Sequence, residues 1–413
     1  MVENIVNSIQ NNLNLNLSPS GIIKAIIIFL FGYYIKKMYD GVHSYFLKYF
    51  KSKGVRNKLN KRLAANSAST LGNLNILTLG NANPYDSKKG INILLSNKSL
   101  YVGFPEDLRE ELQRSFHKDD IAEEFVMNTD SSFDGGSSFS DIARTTDIFN
   151  LPDLINKHRK IVARHFIEKS NGCHFNKTKL GVFKINTHSR HGENENPVIN
   201  MELFQTDYFT HKVFRSIYKE LCSSGHSISQ VNDDMELQKY NAFTTSFGIN
   251  CLIILKYEHG VKDFILTKRS TNATEVNSRN QYNISMLEGL TDTDRDNTDK
   301  IDLRKCVERG LCEELGIEDI HSYDSTIKFY DVFLERNFLE LGITCAVEIS
   351  NMSVEELQHK AEYAKDRTLE ISELVKITND KKVLSEFLRK NEFKQQALFT
   401  IQRICTREGI KIE

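Results

Sequence analysis

Residues 303–317 read LRKCVERGLCEELGI, running from Leu303 through Arg309, Gly310, Glu313 and Glu314 to Gly316 and Ile317. On a helix, side chains three or four positions apart share a face. Adjacent carboxylates such as Glu313 and Glu314 are the hard oxygen donors that suit a divalent cation. Gly316 stands where a helix favours a left-handed terminating residue. The stretch therefore predicts a helix that ends in a carboxylate pair and a glycine stop. Cys306 and Cys312 lie on the same helix and read as small buried apolar residues.

The order around this helix is also informative. Residues 247–255, FGINCLIIL, and 264–268 predict a strand pair, followed by a strand-like 284–287, Gly289 and the acidic loop TDTDRDNTDK. After the helix come strands at 327–334 and 339–349. A helix at 354–363 follows, with Ser353 and Glu356 spaced as a capping box. Residues 371–377 form a short element, and helices at 382–390 and 394–407 close the chain.

Together these features resemble the Nudix family, whose box reads G-x5-E-x7-R-E-U-x-E-E-x-G-U, with U a bulky aliphatic residue. The resemblance covers residues 242–413 and implies a small mixed sheet between helices. It implies that Arg309 orients the loop and helix, and that Gly289 opens the box. Glu313 and Glu314 would be the ligands for Mg2+ or Mn2+, with Glu314 the more important. A further acid from outside the box is expected, and Glu370 is the candidate, as metal ligand or general base. Lys268 and Arg269, just after a strand, are candidates to contact substrate phosphate. In such a site the metal lowers the pKa of a bound water and neutralises diphosphate oxygens.

The sequence departs from the box in two places. Arg309 follows Gly289 by twenty positions, so the loop between them is about six residues longer than the motif has. The motif's loop Glu has no clear counterpart, and Asp299 and Asp302 are the nearest acids. Gly310 stands where the family has a metal-binding Glu, one turn before Glu314. A glycine in mid-helix costs about 1 kcal/mol relative to Ala, so either a close contact needs the space or the site has lost its catalytic demand. Two functions remain open. One is a membrane-anchored hydrolase of a nucleoside diphosphate derivative. The other is a catalytically inactive Nudix-like sensor that binds a nucleotide in membrane-associated stress or antiphage signalling.

The rest of the chain sets the frame. It has 413 residues, 40% of them hydrophobic, with 25 Phe and a net charge of −1. That length predicts two or three domains, and that charge gives no bulk attraction to nucleic acid. Seven Cys without C-x-x-C spacing argue against a zinc site or a disulfide framework.

Residues 22–35, IIKAIIIFLFGYYI, carry one charge, Lys24. As a helix they span roughly 21 Å, short of the about 30 Å of a bilayer core, but flanking apolar residues extend the run. Lys36, Lys37, Lys48, Lys51 and Lys53 follow it. The positive-inside rule then predicts a single-pass membrane protein with its soluble domains cytoplasmic. An interfacial helix in contact with lipid and a buried core helix are the alternatives.

The expected organisation is thus a mixed α/β (α+β) chain. Residues 1–62 form a membrane anchor with a basic segment, and 63–89 a linker with one short strand at 74–79. Residues 90–235 form an α/β domain of no recognised family, and 242–413 the Nudix-like domain. Within the middle segment, 128–141, NTDSSFDGGSSFSD, reads as a polar loop with little ability to order itself.

Overall fold

The computed structural model describes residues 74–80, 90–116, 125–168, 175–188, 198–271, 279–366, 371–410 and 412. The chain divides into residues 1–69 and 70–413, and every described residue falls in the second unit. The apolar run at 22–35 and the candidate Glu370 lie outside the described residues. Among the described residues, no helix is long and apolar enough to cross a membrane.

β1 (Ile76–Gly80) arises in the stretch expected as a linker and joins the larger of two sheets. The smaller sheet belongs to the middle segment. Its elements are β2 (Ile91–Ser99), α1 (Glu106–Phe116), α2 (Ser140–Thr146), α3 (Leu151–Ile167), β3 (Thr178–His188), β4 (Val198–Asp207) and α4 (Tyr208–Ser223). The strand order is β2-β4-β3, with β2 parallel and β3 antiparallel to β4. Asp207 caps α4 by accepting a 2.8 Å bond from the Thr210 amide, the bond by which an acidic side chain satisfies a helix start. The helix then buries Phe209, Val213, Phe214, Ile217 and Tyr218 along one face, each contributing about 2 kcal/mol.

The polar loop at 128–141 is held in place, contrary to the sequence expectation. Asp130 accepts bonds from the Gly103 amide at 2.6 Å and from Arg159 at 2.9 Å, and Asp134 accepts one from the Gly136 amide at 2.8 Å. Phe133 lies edge-on to Phe183 and Phe204, and Phe139 is buried. Two aromatic anchors and two buttressed carboxylates outweigh a composition that by itself suggests disorder.

α5 (Asp234–Lys239) leads into the larger, eight-stranded sheet. The sheet adds β5 (Phe247–Lys256), β6 (Lys262–Arg269), β7 (Tyr282–Asn283), β8 (Met286–Gly289), β9 (Asp324–Glu335), β10 (Glu340–Ser350) and β11 (Ile371–Thr378). Its order is β1-β9-β10-β5-β6-β11, with β8 beside β5 and β7 beside β6. The β5–β10 pair is parallel and the other pairs are antiparallel, so the sheet is mixed.

The unbroken apolar run of β5 reflects burial on both faces. Ile249, Cys251, Ile253 and Leu255 face a core shared with the middle segment. Leu252 and Ile254 face the opposite core. That second core is covered by α8 (Lys381–Lys390) and α9 (Gln395–Arg407). The first is covered by α6 (Leu303–Leu315) and α7 (Val354–Glu362). Ser353 caps α7 by accepting a 3.0 Å bond from the Glu356 amide, as predicted.

The segments expected as separate domains, 90–235 and 242–413, share this first core, and 70–413 form one compact unit. β3 binds both sides of the expected boundary. The Leu180 amide donates to the Leu290 carbonyl at 3.2 Å, and the Val182 amide to the Thr244 carbonyl at 2.9 Å.

Candidate functional site

The site lies where α6 passes over the end of β8. Asp302 starts α6 by accepting a 2.8 Å bond from the Arg304 amide. Gly316 ends it at φ 69°, and a Cβ there would lie 2.3 Å from the Lys360 carbonyl oxygen. Both the left-handed backbone and the lack of space therefore require glycine.

Arg309 points from α6 toward β8 and organises everything around it. Its Nε and Nη2 reach the two Asp294 oxygens at 2.8 and 2.9 Å, a bidentate pair. Nη2 also donates to the Gly289 carbonyl at 2.8 Å. Nη1 reaches Glu288 at 2.9 Å and Glu313 at 3.2 Å. Burial favours loss of the Arg309 proton, but the Asp294 bonds and the Glu288 charge outweigh it and raise its pKa. Through Asp294 and the Gly289 carbonyl, Arg309 ties the loop after β8 to α6.

The loop acid that pairs with Arg309, Asp294, is neither Asp299 nor Asp302. Asp302 caps the helix, and Asp299 has a side chain 85% exposed. Asp294 is 2% exposed. It also accepts a 2.8 Å bond from the Thr291 amide, so it ties the long loop to α6. The acidic run TDTDRDNTDK offers four Asp of similar character, and spacing alone does not distinguish one from another.

Gly310 is explained by crowding. A Cβ there would lie 2.7 Å from Met286 Sδ and 3.0 Å from Glu288 Cβ. The Glu288 side chain occupies the space that a residue 310 side chain needs. Burial pushes the Glu288 carboxyl up, the Arg309 charge and hydrogen bond pull it down, and the Glu313 charge pushes it up again. Glu288 was not anticipated as a site residue, although it directly precedes Gly289.

A second unanticipated residue arrives from the middle segment. β3 lies along the loop after β8, with Thr178 Oγ1 donating to Asp292 at 2.8 Å. It lays Lys179 against Gly289, so close that a Cβ on Gly289 would come within 2.9 Å of the ammonium. Burial depresses the Lys179 pKa, opposed by the charges of Glu288 and Glu340.

The remaining candidates fall as follows. Glu313 is turned into the Arg309 cluster, and Glu314 is 7% exposed. Lys268 and Arg269 are the last two residues of β6. The Lys268 ammonium lies over the Tyr282 ring, and the Arg269 amide donates to the Gln281 carbonyl at 3.0 Å. Their backbone partners are β7 and β11, not the helix. Cys306 is buried, as expected, and its thiol is pushed up by burial. Cys312 is exposed, because its position on α6 faces away from the sheet.

Among the described residues, no three His, Cys, Asp or Glu side chains converge as a metal would need. Glu288, Asp294 and Glu313 are already engaged by one guanidinium. The position that would place a carboxylate beside Glu314 carries only hydrogen, and Glu288 fills the adjacent space.

No sequence profile of a known protein family matches the chain, and no curated protein does. Among solved structures, the chain is similar to DR0079 from Deinococcus radiodurans at 12% identity and a TM-score of 0.27. The match covers 38% of this chain and 83% of that one. At that score the likeness carries no argument about fold or function.

Proposed function

We propose that residues 242–413 are a Nudix-like module that binds a nucleotide or nucleoside diphosphate derivative without hydrolysing it. One observation carries this reading: the carboxylates around α6 are engaged by Arg309, while Gly310 is pressed against Met286 and Glu288. A hydrolase of this type needs open carboxylate oxygens to hold its metal. The ligand class comes from the resemblance of residues 303–317 to the Nudix box.

The full chain, incubated with Mg2+ or Mn2+ and a panel of nucleoside diphosphate derivatives, tests the proposal. Saturable thermal stabilisation without turnover is the expected result. Turnover that disappears in Glu314→Gln would restore the hydrolase. A membrane tether at residues 22–35, with the soluble domains cytoplasmic, belongs to the same proposal. It is supported by the apolar run and its basic flank, and release of the chain by carbonate extraction contradicts it.

A further inference from the structure

We propose that Lys179 is a built-in cation for this site, so that its surplus carboxylate charge is neutralised by the protein itself and no divalent metal is required. The inference rests on the non-catalytic reading above and adds the residue that makes the site metal-independent.

The charges around α6 do not balance without it. Glu288, Asp294 and Glu313 surround a single guanidinium. Three carboxylates on one cation leave a surplus of negative charge in a half-buried place, and such a surplus is costly unless a counter-charge is near. β3 supplies one, and its position is fixed on both sides of Lys179. Thr178 is bonded to Asp292, and the Leu180 amide is bonded to the Leu290 carbonyl. The strand therefore cannot slide along the loop without breaking these bonds. Gly289 has no side chain at the point where the ammonium lies, and an alanine there would press on it at 2.9 Å. The absence of a Cβ at Gly289 and the lysine on β3 fit one another across two segments of the chain.

Burial lowers the Lys179 pKa, and nearby charges act in both directions. Glu288 and Glu340 favour the ammonium, while Lys212 and Arg309 oppose it. The Tyr208 ring lies 5.9 Å from the Lys179 ammonium, within reach of a cation–π contact. A hard cation approaching Glu288 or Glu313 is repelled by the Arg309 guanidinium that both carboxylates contact and by the Lys179 ammonium beside Gly289. Like charges repel more strongly where burial lowers the local dielectric.

Mn2+ binding by the full chain, followed by electron paramagnetic resonance of the free ion, tests this directly. The wild type should bind Mn2+ weakly or not at all at this site. Lys179→Gln and Lys179→Met should each bind it about tenfold more tightly or better. Adding Glu313→Gln should abolish the gain, which assigns it to this site, and Lys179→Arg should behave as wild type. No gain in either folded neutral variant overturns the inference, even if the wild type remains inactive on nucleotides. Metal-dependent turnover by the wild type overturns the earlier reading instead. If both neutral variants fail to fold while Lys179→Arg folds, the charge itself is required, which supports the counter-ion role. Failure of Lys179→Arg alongside them shows that packing governs the position and sinks the idea.

Discussion

Two buried arginine–carboxylate clusters flank the larger sheet, and they have opposite stoichiometry. On the α6 side, one guanidinium serves Glu288, Asp294 and Glu313. On the α9 side, one carboxylate serves two guanidiniums: Asp331 Oδ1 accepts from Arg403 at 2.9 Å and from Arg407 at 2.8 Å. Asp331 is fully buried and its Oδ2 accepts no hydrogen bond, while both arginines are 19% exposed. The Arg309 and Glu313 side chains are each 23% exposed. The drier cluster bolts a helix to a strand. The wetter one carries surplus negative charge and sits at the seam between two segments, where a neighbouring strand can add to it. Charge balance and water access, more than the number of ion pairs, separate a strut from a site.

The sharpest way to break this comparison is Asp331→Asn. It leaves two largely buried guanidiniums without a counter-ion, so we expect a loss of about 3–5 kcal/mol in urea unfolding. A midpoint equal to that of the wild type would show that the cluster is no strut. Arg309→Leu should cost less, about 2 kcal/mol, because Glu288 and Glu313 keep some contact with water, although Asp294 is left buried without its counter-ion. It should also loosen the loop at 290–302, read as faster amide exchange at Thr291 and Asp302. Unchanged exchange there would mean that Asp294 does not tether the loop.

Gly310→Ala is a finer probe. The added methyl meets Met286 Sδ, and the overpacking cost of about 1–3 kcal/mol is partly offset by about 1 kcal/mol of helix propensity. We expect a net loss of about 1 kcal/mol by thermal unfolding. A gain in stability would show that the space is not filled. The smallest effect should come from Arg403→Leu. Arg407 still holds Asp331, so the loss should stay below about 1 kcal/mol. A loss as large as that of Asp331→Asn would mean that the two arginines are not redundant.

Much of the fold was legible in the sequence. The apolar run of β5, the cap at Ser353 and the glycine stop at Gly316 are local signals. Each depends on residues within a turn or two of one another. The mixed sheet and the attention to Arg309 came from the resemblance of residues 303–317 and their flanking elements to the Nudix box. The loop at 128–141 was misread because its order depends on Arg159, Phe183 and Phe204, which come from elsewhere in the chain. The strands β1 and β9 were visible as apolar runs, but their pairing was not.

By itself the sequence determined the elements, their order and the helix that carries Arg309, Glu313 and Glu314, because backbone hydrogen bonding and apolar periodicity act over a few residues. Only the tertiary structure decided what those side chains face. Whether Glu313 is open or paired, why Gly310 lacks a side chain, and which cation sits against Gly289 depend on how β3, β8 and α6 are brought together. Electrostatic and steric contacts of that kind act through space, between residues whose separation along the chain carries no trace of their proximity.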